Sequence, residues 1–214
     1  MILALLLPKT PHRYEAPRHA AFGENVQHIK NLLSRRGLNM SYVAIFAQYF
    51  VFGGVATLLP LYVKGYGMTA FHVGMLLMIF TIVFIAIQYP SGLLSDRVGR
   101  VKPTIAGLAL GAVSLALLPA FSTFLLLAVA MALYGLAYGL FFPSISAAIP
   151  EHASQDERGL ATGIFYAALT AGVAVGAPVM GGIGEVAGIK PGLLIPPFIM
   201  LLALVVVVIG VRRK

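Results

Sequence analysis

Tyr134 and Tyr138 stand four residues apart near the middle of a long apolar run, so they share one face of a helix. Thr162, Tyr166 and Thr170 repeat that spacing in a later run. Gln48 and Gln88 each stand in a run of their own. A hydroxyl or amide in such surroundings must find a hydrogen-bond partner. Two chemistries satisfy that need: binding a neutral polar solute in a water-filled central cavity, or bonding between neighbouring helices. The ionisable residues lie elsewhere. The acids are Glu15, Glu24, Asp96, Glu151, Asp156, Glu157 and Glu185, and none falls mid-run. His12, His19, His28, His72 and His152 lie in loops or at run ends, and no lysine or arginine is deep. A proton relay built from buried acids is therefore not expected within this chain. No acid–base pair, metal-ligand cluster or base-activated nucleophile can be assembled from the apolar runs. The absence of cysteine removes disulfides and thiolate chemistry. An enzyme is not expected, nor a cofactor or a metal.

The elements that must position these groups are membrane spans. The chain is 59% hydrophobic and 10% charged, against about 25% charged in a soluble domain. Six apolar runs, at about 40–63, 71–93, 103–121, 124–149, 159–183 and 191–211, each approach the ~20 residues that cross a bilayer. Their connections are short, so neighbours run antiparallel. The expected fold is an all-α membrane protein, with residues 39–214 forming a six-helix transmembrane bundle.

Residues 1–8 are apolar but too short to span, and they read as the end of a preceding transmembrane helix. Residues 9–38 read as a basic linker. Within it, Phe22, Val26, Ile29 and Leu33 fall on one helical face. Both an amphipathic helix on the membrane surface and a loosely ordered linker fit this segment.

The net charge of +8 reflects topology rather than a polyanionic partner. The basic residues sit at the ends of apolar runs and form no continuous stripe, so no nucleic acid is expected. Thirteen of the 15 lysines and arginines fall on one side if the N-terminal segment is inside, leaving Lys64 and Lys190 outside. This predicts cytoplasmic termini in a cytoplasmic (plasma) membrane. Local signals agree with the span limits. Gly67 suits a left-handed turn and Thr69 an N-cap. Ser154 to Glu157 has the spacing of a capping box. Small residues at four-residue spacing allow close helix packing: Gly135 and Gly139, followed by Pro143, then Gly172, Gly176, Gly181 and Gly182 around Pro178.

Between the second and third runs stands Gly92-Leu93-Leu94-Ser95-Asp96-Arg97-Val98-Gly99-Arg100. It reads as a short, charged loop at the lipid–water boundary. It closely resembles the signature loop of the major facilitator superfamily, Gly-x-Leu-Ser/Ala-Asp-Arg-x-Gly-Arg-Arg/Lys. Val101 takes the last basic place and Lys102 follows it. The resemblance covers the chain from about residue 37 onward. It implies one half of a twelve-helix transporter fold, made of two inverted three-helix repeats.

Two features place the chain as the C-terminal half of such a fold. First halves often carry an arginine in the fourth helix ahead of Gly-x-x-x-Gly, and Met131 stands there instead. The basic preamble behind a short apolar run resembles the loop that joins the halves, since the sixth helix of the family often ends in a run like Leu5-Leu6-Leu7-Pro8-Lys9. The stretch Gly176 to Gly182 resembles the family's Gly-Pro-x-x-Gly-Gly motif, with Ala177 in place of the glycine before proline. Its expected job is close packing and a pivot.

The resemblance implies transport of a small solute by alternating access, as a permease or an efflux transporter. Its expected partners are the bilayer, the solute and an N-terminal six-helix half, in cis or as a second subunit or homodimer. Tyr134, Tyr138, Gln48, Gln88, Thr162, Tyr166 and Thr170 are the expected cavity residues. Gly92, Asp96, Arg97, Gly99 and Arg100, joined by Glu151 and Arg158, are the expected conformational latch, with Asp96 reaching a helix of the partner half. A non-transporting six-helix scaffold or regulatory subunit is the alternative.

Overall fold

The computed structural model describes residues 22–212, and the expected helix remnant at 1–8 and the linker to residue 21 lie outside the described residues. Helix α1 (Phe22–Ser34) precedes α2 (Arg36–Gly65), α3 (Ala70–Val98), α4 (Val101–Leu117), α5 (Phe124–His152), α6 (Arg158–Ala187), the single turn α7 (Ile189–Gly192) and α8 (Ile195–Arg212). Among the described residues six helical segments are long and apolar enough to cross a membrane, and they match the six expected runs. At 1.5 Å per residue, the 30 residues of α2 reach about 45 Å, so the helix ends extend past the hydrocarbon into the headgroup layer.

The connections obey local chemistry. Gly67 has φ +75°, as the turn after α2 requires. The Nδ1 of His72 reaches back to the Thr69 N–H at 3.1 Å, doing for α3 what a glutamate does in most capping boxes. Glu157 closes the predicted box ahead of α6, accepting from the Ser154 hydroxyl at 2.7 Å and its N–H at 3.3 Å. Tyr62 ties the far end of α2 to the α4–α5 turn, donating to the carbonyls of Phe121 at 2.8 Å and Pro119 at 3.1 Å.

One expectation needs correction. The Gly92–Arg100 stretch is not a loop: Gly92 to Val98 completes α3, and only Gly99 and Arg100 connect to α4. Helix can persist there because its last turns lie where polar side chains meet water, and Gly99, with φ +87°, makes the reversal alone. Gly92 makes neither a turn nor a close approach. In α1, the residue driven inward is Leu32, fully buried, whereas Leu33 is exposed. The chain bends at Arg35, α1 packs on α2, and Ile29 is half-buried.

The helices pack as two matching sets of three, α2–α3–α4 and α5–α6–α8. Helix α2 packs on α6 as α5 packs on α3. Helix α4 packs on α5 as α8 packs on α2, and α4 meets α8. A repeat with an odd number of spans must be inverted relative to its copy. Helices α2 and α5 thus occupy the centre, while α3 and α6 flank them with long exposed apolar faces.

Glycine sets the tightest crossings. A methyl at Gly176 would strike the backbone of Phe50, one at Gly172 the backbone of Phe46, and one at Gly53 the backbone of Val173. On the other pair, Gly135 lies against the Phe80 carbonyl and Gly139 against Ile87. Gly181 approaches Thr57 more loosely, and Gly182 faces open space and packs on no helix among the described residues. Gly176→Ala should therefore cost about 1–3 kcal/mol through overpacking. Gly182→Ala should be neutral or slightly stabilising, because alanine is the better helix former. Thermal unfolding of the two variants in detergent checks this; equal melting temperatures would refute the proposed crossing.

Candidate functional site

At the mid-length of α2 and α5, Gln48, Tyr134 and Tyr138 come together, and all three are buried. The Tyr138 ring is the hub. It lies 5.3 Å from the rings of Tyr134 and Phe80, 5.6 Å from Tyr49 and Phe84, and 5.8 Å from Phe52. All these contacts are edge-to-face, which the ring quadrupole favours. Phe142 extends the cluster, 6.2 Å from Phe84 and 6.5 Å from Tyr49. The Tyr138 hydroxyl donates to the Gln48 backbone carbonyl at 3.5 Å. The Gln48 amide nitrogen and oxygen and the Tyr134 hydroxyl have no partner. Each buried polar group left in that state costs about 1–3 kcal/mol. The arrangement holds hydrogen-bonding capacity in reserve inside a ring of aromatic side chains.

The remaining expected cavity residues separate from this centre. Gln88 is half-buried in a shallow groove with Tyr89, Phe142, Pro143 and Ser146. On α6, Tyr166 and Thr170 are exposed and Thr162 is half-buried. The Thr170 hydroxyl is consumed by its own helix, donating to the Tyr166 carbonyl at 2.9 Å. The stripe at 162, 166 and 170 thus lies outside the Gln48 centre. Sequence reasoning missed the aromatic ring around Tyr138. Its signal was present: Tyr49 and Phe52, Phe80 and Phe84, and Tyr138 and Phe142 are spaced three or four apart on three spans.

Charge gathers at one end of the bundle. Arg100 donates to Asp96 at 2.5 Å and to Glu151 at 2.7–2.9 Å, joining the start of α4 to the end of α5. Its Nη1 also lies 3.3 Å from the Ser95 hydroxyl. Arg35 makes a forked pair with Glu157, at 2.6 and 2.9 Å, joining the start of α2 to the start of α6. Bonding to Glu157 raises the Arg35 guanidinium above its ordinary pKa, and bonding to Glu151 does the same for Arg100. Of the expected latch residues, Asp96, Arg100 and Glu151 form one network, with Gly99 supplying its turn. Arg97 and Arg158 are exposed and join no ion pair among the described residues. Arg35, not singled out in the sequence, supplies the second pair.

This fold has known counterparts. The family model for the Major Facilitator Superfamily matches residues 41–214. The chain belongs to that superfamily. Among its relatives is the quinolone resistance protein NorA of Staphylococcus aureus, 26% identical over 150 residues, which cover 70% of this chain and 39% of NorA. Another is the uncharacterised MFS-type transporter MJ1317 of Methanocaldococcus jannaschii, 36% identical over 95 residues, 42% of this chain and 23% of that one. The fold matches the POT family transporter PepTSo with a TM-score of 0.74 at 18% identity, over 84% of this chain and 38% of that chain. A POT family transporter in complex with 5-aminolevulinic acid matches equally well, with a TM-score of 0.74 at 21% identity, over 84% of this chain and 39% of that one. The chain thus spans about two fifths of the length of NorA and of these solved transporters.

The chain is an integral membrane protein, and its ion pairs among the described residues lie at one end of the bundle. The Arg100–Glu151 pair is partly exposed, its side chains 23% and 48% accessible. A double-mutant cycle with Arg100→Gln and Glu151→Gln should give a coupling of about 0.5–1 kcal/mol. The coupling should shrink in high salt, where exposed charges are screened. Additive effects at low salt would show that the pair contributes nothing to stability.

Proposed function

We propose that this chain is the C-terminal half of an alternating-access transporter that moves a small solute across the plasma membrane, with both termini in the cytoplasm. The observation that carries the reading is the orphaned polar set at the centre: the Gln48 amide and the Tyr134 hydroxyl, buried without partners between the two innermost helices. A bundle built only to scaffold would gain by replacing them with leucine and phenylalanine. A transporter keeps them because a solute satisfies them in transit. An N-terminal half completes the path, and the length of the relatives supports that division. NorA, named for quinolone resistance, supports export as the direction of transport.

In this reading the solute docks against α2 and α5, with Gln48, Tyr134 and Tyr138 as polar contacts and the surrounding rings excluding water and lipid. Gln88, Thr162, Tyr166 and Thr170 line the approach. Rocking of one half against the other exposes the site to each side in turn. Asp96 and Arg100 sit at the inner edge, where their charges bias the closed state.

Two measurements test this. The chain has no cysteine, so single thiols report cleanly. A thiol placed at Tyr138 should react with a small maleimide at least tenfold faster during turnover than one placed at exposed Leu202 of α8. Tyr49→Cys serves where Tyr138→Cys fails to fold. Equal rates would favour a scaffold. Separately, Asp96→Asn should lower turnover severalfold in the assembled transporter while leaving the melting temperature within a few degrees; unchanged turnover would remove Asp96 from the gating machinery.

A further inference from the structure

The central site specifies more than polarity. Gln48 offers an amide N–H donor and a carbonyl acceptor side by side in one plane, and both lack partners. A ketone or ester would satisfy only the donor. An ammonium group would satisfy only the acceptor. A carboxylate would bring a charge to a centre where the described residues place no cation. A hydroxyl pair or a coplanar donor–acceptor edge satisfies both atoms at once, and the apolar rings around them favour the edge, whose flat body brings no further polar groups to desolvate. Around it the rings of Tyr49, Phe52, Phe80, Phe84 and Tyr138 present faces and edges at 5.3–6.2 Å spacing, a setting that accepts a further ring in place of one of their own contacts. Tyr49, Phe52 and Phe84 are only half-buried, so the cover over the site is side chain and can move by rotamer change.

We propose that the part of the solute docking on this half is a flat, uncharged aromatic body bearing a hydrogen-bond donor and acceptor side by side, as in a carboxamide or lactam edge, recognised by Gln48 and Tyr134 within the aromatic ring. This rests on the reading of Gln48, Tyr134 and Tyr138 as the solute site. The amide edge pairs with Gln48 through two parallel bonds, and the Tyr134 hydroxyl, likewise unpartnered, offers a further polar contact. A solute without that edge leaves buried groups unpaired and is rejected for that reason.

The test uses the full-length transporter in nanodiscs and three naphthalene probes. These are 2-naphthamide, its N,N-dimethyl derivative, which keeps the acceptor and loses the donor, and 2-ethylnaphthalene, which has neither. Binding is read by naphthalene fluorescence, and location by protection of a thiol at Tyr49→Cys from maleimide. The expected result is at least tenfold tighter binding of 2-naphthamide than of either analogue, with protection at position 49. Gln48→Leu should collapse the preference to within about threefold without abolishing binding of 2-ethylnaphthalene. Gln48→Met replaces it if the leucine variant is poorly folded. Protection at position 49 without preference for the amide, or a preference that survives loss of Gln48, would overturn the proposed solute class and leave the site in place. No protection by any probe, together with transport insensitive to Gln48→Leu, would overturn the site and the proposal with it.

Discussion

In lipid, helices gain little by hiding apolar side chains from each other, because the solvent is as apolar as they are. What holds them is close contact between backbones, and that needs residues with nothing in the way. The architecture depends on this at two crossings. At one, Gly172 and Gly176 of α6 bring that helix onto the backbone of α2, while Gly53 of α2 returns the contact. At the other, Gly135 and Gly139 bring α5 onto α3. The inverted repeat relates the two crossings, so one solution is used twice. Because α6 and α3 hold α2 and α5 from outside, the inner faces of α2 and α5 are free to carry side chains chosen for something other than packing.

That freedom is spent on Gln48, Tyr134 and Tyr138, and the price is visible in their unpaired atoms. The aromatic ring limits the cost. Phe80, Phe84 and Tyr49 pack edge-to-face against Tyr138, and Gln48, Tyr134 and Tyr138 are buried among them. Full charges are treated differently. Desolvating an ion at mid-membrane is far more expensive than desolvating an amide, and the ion pairs among the described residues lie at one end, where Arg100 and Arg35 can be paired and hydrated together.

Much of this was legible in the sequence, because membrane spans obey coarse rules. Twenty apolar residues between charged ends admit few readings, and the six spans, the Ser154 box and the Gly67 turn follow from rules that act locally. The central trio was legible for a similar reason: a polar residue in an apolar run is conspicuous. The aromatic ring was not, since Phe52 and Phe80 look the same in sequence whether they face lipid, a neighbour or a solute. The helical state of Gly92 to Val98 was hidden by composition. Glycine, serine and paired charges signal a loop in water, yet at a bilayer surface they can finish a helix, with Gly99 alone reversing the chain. Arg35–Glu157 was hidden by distance, as nothing local links residues separated by four spans.

The placement of the ion pairs bears on how such a unit can move. Arg100 belongs to the first three-helix repeat and Glu151 to the second, while Arg35 at the head of the first repeat grips Glu157 at the head of α6. Both pairs therefore cross the boundary between repeats within this one half. Together with the glycine crossings, which also run between repeats, they resist sliding of one repeat on the other. A unit stitched in this way responds to load by turning as a body rather than by shearing internally. In the transport cycle proposed above, motion that exposes Gln48 to either side would come from two sources: small rotations of the aromatic side chains that cover it, and movement of the whole six-helix unit against a partner half packed on its open faces along α3 and α6.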